Sequence, residues 1–73
     1  MDNNDILRRL RYTFDLNDAA MASVFARAGL KVRRGHIVAW LLKEDDPAFE
    51  PCNDRMLATF LNGFIIMRRG KRE

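Results

Sequence analysis

Few side chains in this 73-residue sequence can do chemistry. His36 is its one histidine, Cys52 its one cysteine and Ser23 its one serine. A nucleophile needs a base within hydrogen-bond reach, and a structural zinc site needs four converging Cys, His or carboxylate ligands. Trp40 and an acidic turn separate His36 from Cys52, and neither has ligand spacing around it. No glycine-rich phosphate loop occurs. Glu44-Asp45-Asp46, with Glu50 and Asp54 nearby, lacks EF-hand spacing and reads as helix caps and solvated surface. The pattern predicts a chain that is not an enzyme, with no catalytic residue, cofactor or metal.

Two basic groups offer a different chemistry. Lys31, Arg33 and Arg34 precede a helix, where the dipole already makes the environment positive. Cations are unfavourable there unless an anion compensates, and phosphates favour helix N-termini. Nothing nearby in sequence neutralises the cluster. Arg68, Arg69, Lys71 and Arg72 end the chain, where cations complement a helix C-terminus and can also reach a phosphate backbone. Each group has a local account too, as a solvated loop or a stabilised helix end. Together they mark candidate anion or nucleic-acid residues. The net charge of +3 is too small to separate a nucleic-acid binder from an ordinary basic protein.

Helices position these residues. Three begin with the same dipeptide, Asn4-Asp5, Asn17-Asp18 and Asn53-Asp54. Asparagine accepts a first-turn N–H, and the aspartate sits at the positive end of the dipole. The first helix is expected from Asp5 to Phe14, with Ile6, Leu7, Leu10 and Phe14 on one face. The second runs from Asp18 to Ala28, with a Leu16–Met21 staple at its start and a glycine cap at Gly29. The third runs from Arg34 to Lys43 and starts poorly, because Arg33 is a weak cap. Asp46-Pro47 begins a short helical turn. The last helix runs from Asp54 to Arg69, with a stripe of Leu57, Phe60, Leu61, Phe64 and Ile65.

Ile66 and Met67 lie beyond that stripe, so the last helix is apolar around much of its circumference. These two are the candidate interface residues; Trp40, among apolar neighbours, is expected in the core, with a second interface contact as its alternative role. Gly63 inside this helix costs about 0.5–1 kcal/mol relative to alanine and marks close approach of another backbone. The predicted fold is all-α: one domain over residues 1–73, four main helices plus the short turn, and a helix-turn-helix-like pairing of the second and third. The linker from Gly29 through Arg33 is slightly long for that motif.

At this length the core is marginal, and no disulfide can help. Small chains in this position gain stability by pairing. The acidic, polar N-terminus is no signal peptide and no apolar run spans a bilayer, so the expected compartment is the cytoplasm.

The sequence resembles the YehS-type family of small bacterial proteins, a domain of unknown function. The matching residues are Asn4-Asp5-Ile6-Leu7-Arg8 and Arg11-Tyr12, then Trp40-Leu41 and Lys43-Glu44-Asp45-Asp46-Pro47 with Phe49. Leu57, Phe60-Leu61-Asn62-Gly63 with Ile65, and Arg69-Gly70-Lys71 complete the match. The resemblance implies an all-helical fold, a bacterial cytosolic setting and no known activity. The family usually carries two such units in tandem, and this sequence holds one. The expected function is therefore a non-enzymatic helical interaction module that pairs with itself or a related repeat. The alternative is a nucleic-acid-binding regulatory domain. No small-molecule substrate and no membrane partner are expected.

Overall fold

The start of the first helix is set by a pair of aspartates. In the computed structural model, which describes residues 1–70, Asp2 Oδ1 accepts the Asp5 amide at 2.9 Å and Asp5 Oδ2 accepts the Asp2 amide at 3.3 Å. This reciprocal capping box begins α1 (Asn3–Thr13) earlier than the Asn4-Asp5 dipeptide suggested. Asn4 is thus not a cap. It lies inside the first turn and is buried.

The other two Asn-Asp starts are caps. Asn17 Oδ1 accepts Ala20 N–H at the head of α2 (Asp18–Arg27), and Asn53 Oδ1 accepts Met56 N–H at the head of α4 (Asp54–Arg69), each at 2.8 Å. Between them, α3 covers Arg34–Leu41. Among the described residues there is no strand.

Two helices end in the same motif with different residues. At the end of α2, Gly29 (φ +87°) donates to Ala26 O and Leu30 donates to Phe25 O. At the end of α1, Asp15 (φ +53°) donates to Tyr12 O and Leu16 donates to Arg11 O. Both are Schellman closures, which need a left-handed residue after the helix. Glycine announces the first. The second uses an aspartate, so the sequence carried no sign of it.

The third helix is two residues shorter than expected. Leu42 turns extended, and the Arg8 guanidinium takes the freed carbonyls, with Nη2 donating to Leu42 O at 2.6 Å and Nε to Leu41 O at 3.3 Å. The chain then passes through a turn closed by Phe49 N–H on Asp46 O, with Asp46 Oδ1 accepting Ala48 N–H.

The core lies between α2 and its neighbours. Leu7, Met21, Val24, Phe25, Ile37 and Phe60 are fully buried. Burial of such side chains is worth about 1.5–3 kcal/mol each. Phe25 sits at the centre, with ring centroids 5.6 Å from Trp40 and 5.1 Å from Phe60. The α2–α4 contact is the most extensive. It closes at Gly63, which is buried with Val24 against it.

That contact fixes how α4 is rotated. With Gly63 turned toward α2, the inward residues are Met56, Leu57, Phe60, Phe64 and Met67. Leu61 and Ile65, expected in the core stripe, are 38% and 54% exposed. The apolar band of α4 is wider than its core face, and the surplus points to solvent.

Candidate functional site

The basic cluster at the start of α3 lies on the surface. Lys31, Arg33 and Arg34 are exposed, and Arg33 caps the helix without a side-chain hydrogen bond. The cluster does have a counter-charge, from a residue distant in sequence. Asp18, the first residue of α2, accepts from Arg11 Nη1 at 2.5 Å and from Arg34 Nε at 3.4 Å. The Arg11 hydrogen bond is the main cause that holds the Asp18 carboxyl below its ordinary range, and Arg34 adds to it. Arg34 is therefore partly engaged, while Lys31 and Arg33 make no ion pair among the described residues.

The C-terminal basic residues are not joined to this cluster, since α3 and α4 do not pack extensively on each other. Arg68 and Arg69 are exposed in the last turn of α4. The Arg68 guanidinium carbon lies 5.9 Å from the centre of the Phe14 ring, a cation–π distance. Lys71 and Arg72 lie outside the described residues.

As a helix-turn-helix reader, α3 has little to offer. Its buried residues are Ile37, Ala39 and Trp40, leaving Arg34, Gly35, His36 and Val38 outward. His36 Nδ1 lies 3.3 Å from Glu50 Oε1, so a carboxylate stands beside the one polar ring on that face.

The polar interior belongs to Asn4, whose role sequence reasoning missed. The residue is 3% exposed, and its side-chain nitrogen and oxygen are both hydrogen-bonded. Nδ2 donates to Trp40 O at 2.8 Å and to Glu50 O at 2.9 Å, and Oδ1 accepts Cys52 N–H at 2.9 Å. Asn3 Nδ2 adds bonds to Cys52 O at 3.1 Å and Asp54 Oδ1 at 2.7 Å. The first turn of α1 thus ties the end of α3 to the segment that enters α4. Buried amides that satisfy backbone groups in this way specify an arrangement. Cys52 is buried beside the latch, and burial, with the nearby Asp54 charge, pushes its thiol pKa up. A raised pKa makes a poor nucleophile.

The candidate interface residues need correction. Trp40 is 6% exposed and packed in the core against Phe25 with the rings tilted by 42°, so it offers no surface. Met67 is half-buried and packs on the same core. Both follow from the rotation set at Gly63 and from the placement of α3 against α2. Ile66 is half-buried and lines a shallow groove with Ala28, Thr59, Asn62 and Ile65. The large apolar side chains presented outward on α4 are Leu61 and Ile65.

Among the described residues, no three His, Cys, Asp or Glu side chains are placed to hold a metal ion. No helix among them is long and apolar enough to cross a membrane.

Comparison with known proteins gives a family without an activity. The chain is 40% identical to the uncharacterized protein YehS of Escherichia coli (strain K12), over all 73 of its residues. It spans 47% of that relative's length. No solved structure matches. Residues 3–70 match the family model described as protein of unknown function DUF1456, and the chain belongs to that family.

Proposed function

We propose that this unit is a non-catalytic helical interaction module that pairs with a second helical unit of its own kind. The outer face of α4 carries the reading. Leu61 and Ile65 stand one turn apart, both exposed, on a helix whose opposite side already fills the core. A small domain has little apolar surface to spare, and an exposed apolar row on a regular helix suits a helix partner. The length of the E. coli relative, about twice that of this chain, leaves room within that protein for a second unit of this size.

Analytical ultracentrifugation across micromolar to millimolar concentration tests the reading. Association that Ile65→Glu abolishes without loss of helicity supports it. A chain that stays monomeric throughout, and also fails to bind the remaining half of the relative supplied separately, refutes it.

A second reading is nucleic-acid binding, favoured by the uncapped, exposed start of α3 with Lys31 and Arg33 on it. Titration with duplex DNA and with RNA at two salt concentrations decides it. Phosphate contacts weaken steeply as salt rises, and Arg33→Gln with Arg34→Gln flattens that slope. No affinity at low salt removes this reading.

A further inference from the structure

Asp54, Leu61 and Arg68 form one row along α4. Seven residues separate the first from the second and seven the second from the third. Two turns of an α-helix take about 7.2 residues, so the three side chains lie nearly in line. All three are exposed, and the row runs on the side nearly opposite Gly63 and about a quarter turn from Phe60. Ala58 and Ile65 flank Leu61 on the same face and are exposed too. The order along the helix is acid, apolar, base, with equal spacing on both sides of the apolar centre.

Such a row is complementary to itself when reversed. If a second copy lies antiparallel on this face, Leu61 meets its own counterpart. Asp54 of each chain then meets Arg68 of the other, with Arg69 one residue further on. The same ion pair forms twice about one two-fold axis, as an isologous interface requires. A parallel pair sets like charges against each other at both ends. Among the described residues, Asp54, Arg68 and Arg69 make no ion pair within their own chain; Asp54 Oδ1 accepts from Asn3 and Arg68 lies over the Phe14 ring, and both remain exposed.

We infer that the outer face of α4 is a self-docking surface on which a second copy of this chain packs antiparallel, centred on Leu61. The inference rests on the pairing reading above and specifies its geometry. One helix face covers less than the roughly 800 Å² per partner of a stable complex, so the pair is weak. Its charge pairs are solvent-exposed, so salt weakens it further.

Cross-linking tests the geometry directly. In a Cys52→Ala background, checked for helicity, single new thiols report which positions meet. Leu61→Cys protein should give a covalent homodimer under mild oxidation. Asp54→Cys and Arg68→Cys proteins should cross-link when mixed and not when oxidised alone. Independently, Leu61→Glu in the natural background should weaken dimerisation at least tenfold in sedimentation, and a low-salt buffer should strengthen the wild-type dimer. Homodimers of the Asp54→Cys or Arg68→Cys protein alone indicate a parallel pair and overturn the proposal. A wild-type dimer that Leu61→Glu does not weaken, with no Leu61→Cys cross-link, leaves pairing intact and refutes this face. A wild-type chain still monomeric at millimolar concentration in low salt refutes self-docking altogether.

Discussion

The backbone of Val24 occupies the space that a side chain on Gly63 would need. An added Cβ would overlap the Val24 carbonyl oxygen and lie 2.8 Å from its carbonyl carbon and 3.3 Å from its Cγ1. The first two obstacles are backbone of α2, which cannot swing aside as a side-chain tip can. Gly63→Ala should therefore destabilise the domain by about 1–3 kcal/mol through overpacking, although alanine favours the helical state by about 1 kcal/mol. Chemical denaturation measures this. Unchanged or increased stability would mean that α2 and α4 do not meet at Gly63.

Asn4 should prove more costly to truncate than either capping asparagine. Asn4→Ala strands the buried Cys52 N–H and removes the donor from two carbonyls, and each orphaned buried group costs about 1–3 kcal/mol. Asn17→Ala and Asn53→Ala expose their first-turn amides to water and should cost about 0.5–2 kcal/mol each. Asn4→Asp should not rescue, because a carboxylate would face the Trp40 and Glu50 carbonyls. Equal midpoints for the Asn4 and Asn17 variants would remove the latch from the account of stability.

Asp15→Gly should stabilise. Asp15 holds φ +53° to close α1, a conformation that glycine adopts without the Cβ penalty, and its negative charge stands at the negative end of the helix dipole. The greater freedom of glycine in the unfolded chain offsets part of the gain, leaving about 0.5–1 kcal/mol. A lowered thermal midpoint would contradict the argument.

Stability should fall on acidification, and Asp18 should contribute to the fall. Its folded pKa is depressed, chiefly by the Arg11 hydrogen bond. A depressed carboxylate stabilises the fold fully above its unfolded pKa, and that contribution is lost as pH falls through the folded value. Asp5 behaves alike, held down first by the Asp2 backbone amide. The loss should begin near pH 4 and continue below it. Asp18→Asn should be less stable than wild type at pH 7, and the two should converge toward pH 2. Parallel curves would show that Asp18 does not titrate with folding.

Substitutions on the two sides of α4 should separate. Leu61→Glu and Ile65→Glu place charge where the side chains are already exposed, and helicity should survive. Met67→Glu puts a carboxylate against the core cluster and should unfold a large fraction of the protein. Circular dichroism on the three variants reads this out. An intact fold in the Met67→Glu protein would place Met67 on the surface.

Local chemistry was legible in the sequence. Asparagine caps at Asn17 and Asn53, the glycine closure at Gly29 and the helical period of each apolar segment depend on residues within one or two turns. The two caps and the glycine closure stand where the sequence placed them, while the inward face of α4 does not. The close approach at Gly63 was legible for the same reason, since an internal glycine in an apolar helix is a local cost that needs a distant cause. The capping box of α1 also had a local sign, in the spacing of Asp2 and Asp5, but the more prominent Asn4-Asp5 dipeptide competed with it.

Tertiary structure decided everything that depends on which side of a helix meets another. The apolar band of α4 allowed several rotations, and only the backbone contact between Gly63 and Val24 chose one, burying Met67 and exposing Leu61 and Ile65. Trp40 was legible as core from its apolar neighbours, but its contact with Phe25 was fixed only by the packing of α3 against α2. Asp18 neutralises Arg34 across sixteen residues of chain, and Asn4 reaches carbonyls and an amide at least thirty-six residues away. Such pairs arise from the path of the chain in space. Spacing along the sequence records neighbours within a helix, and the candidate surface was set by neighbours between helices.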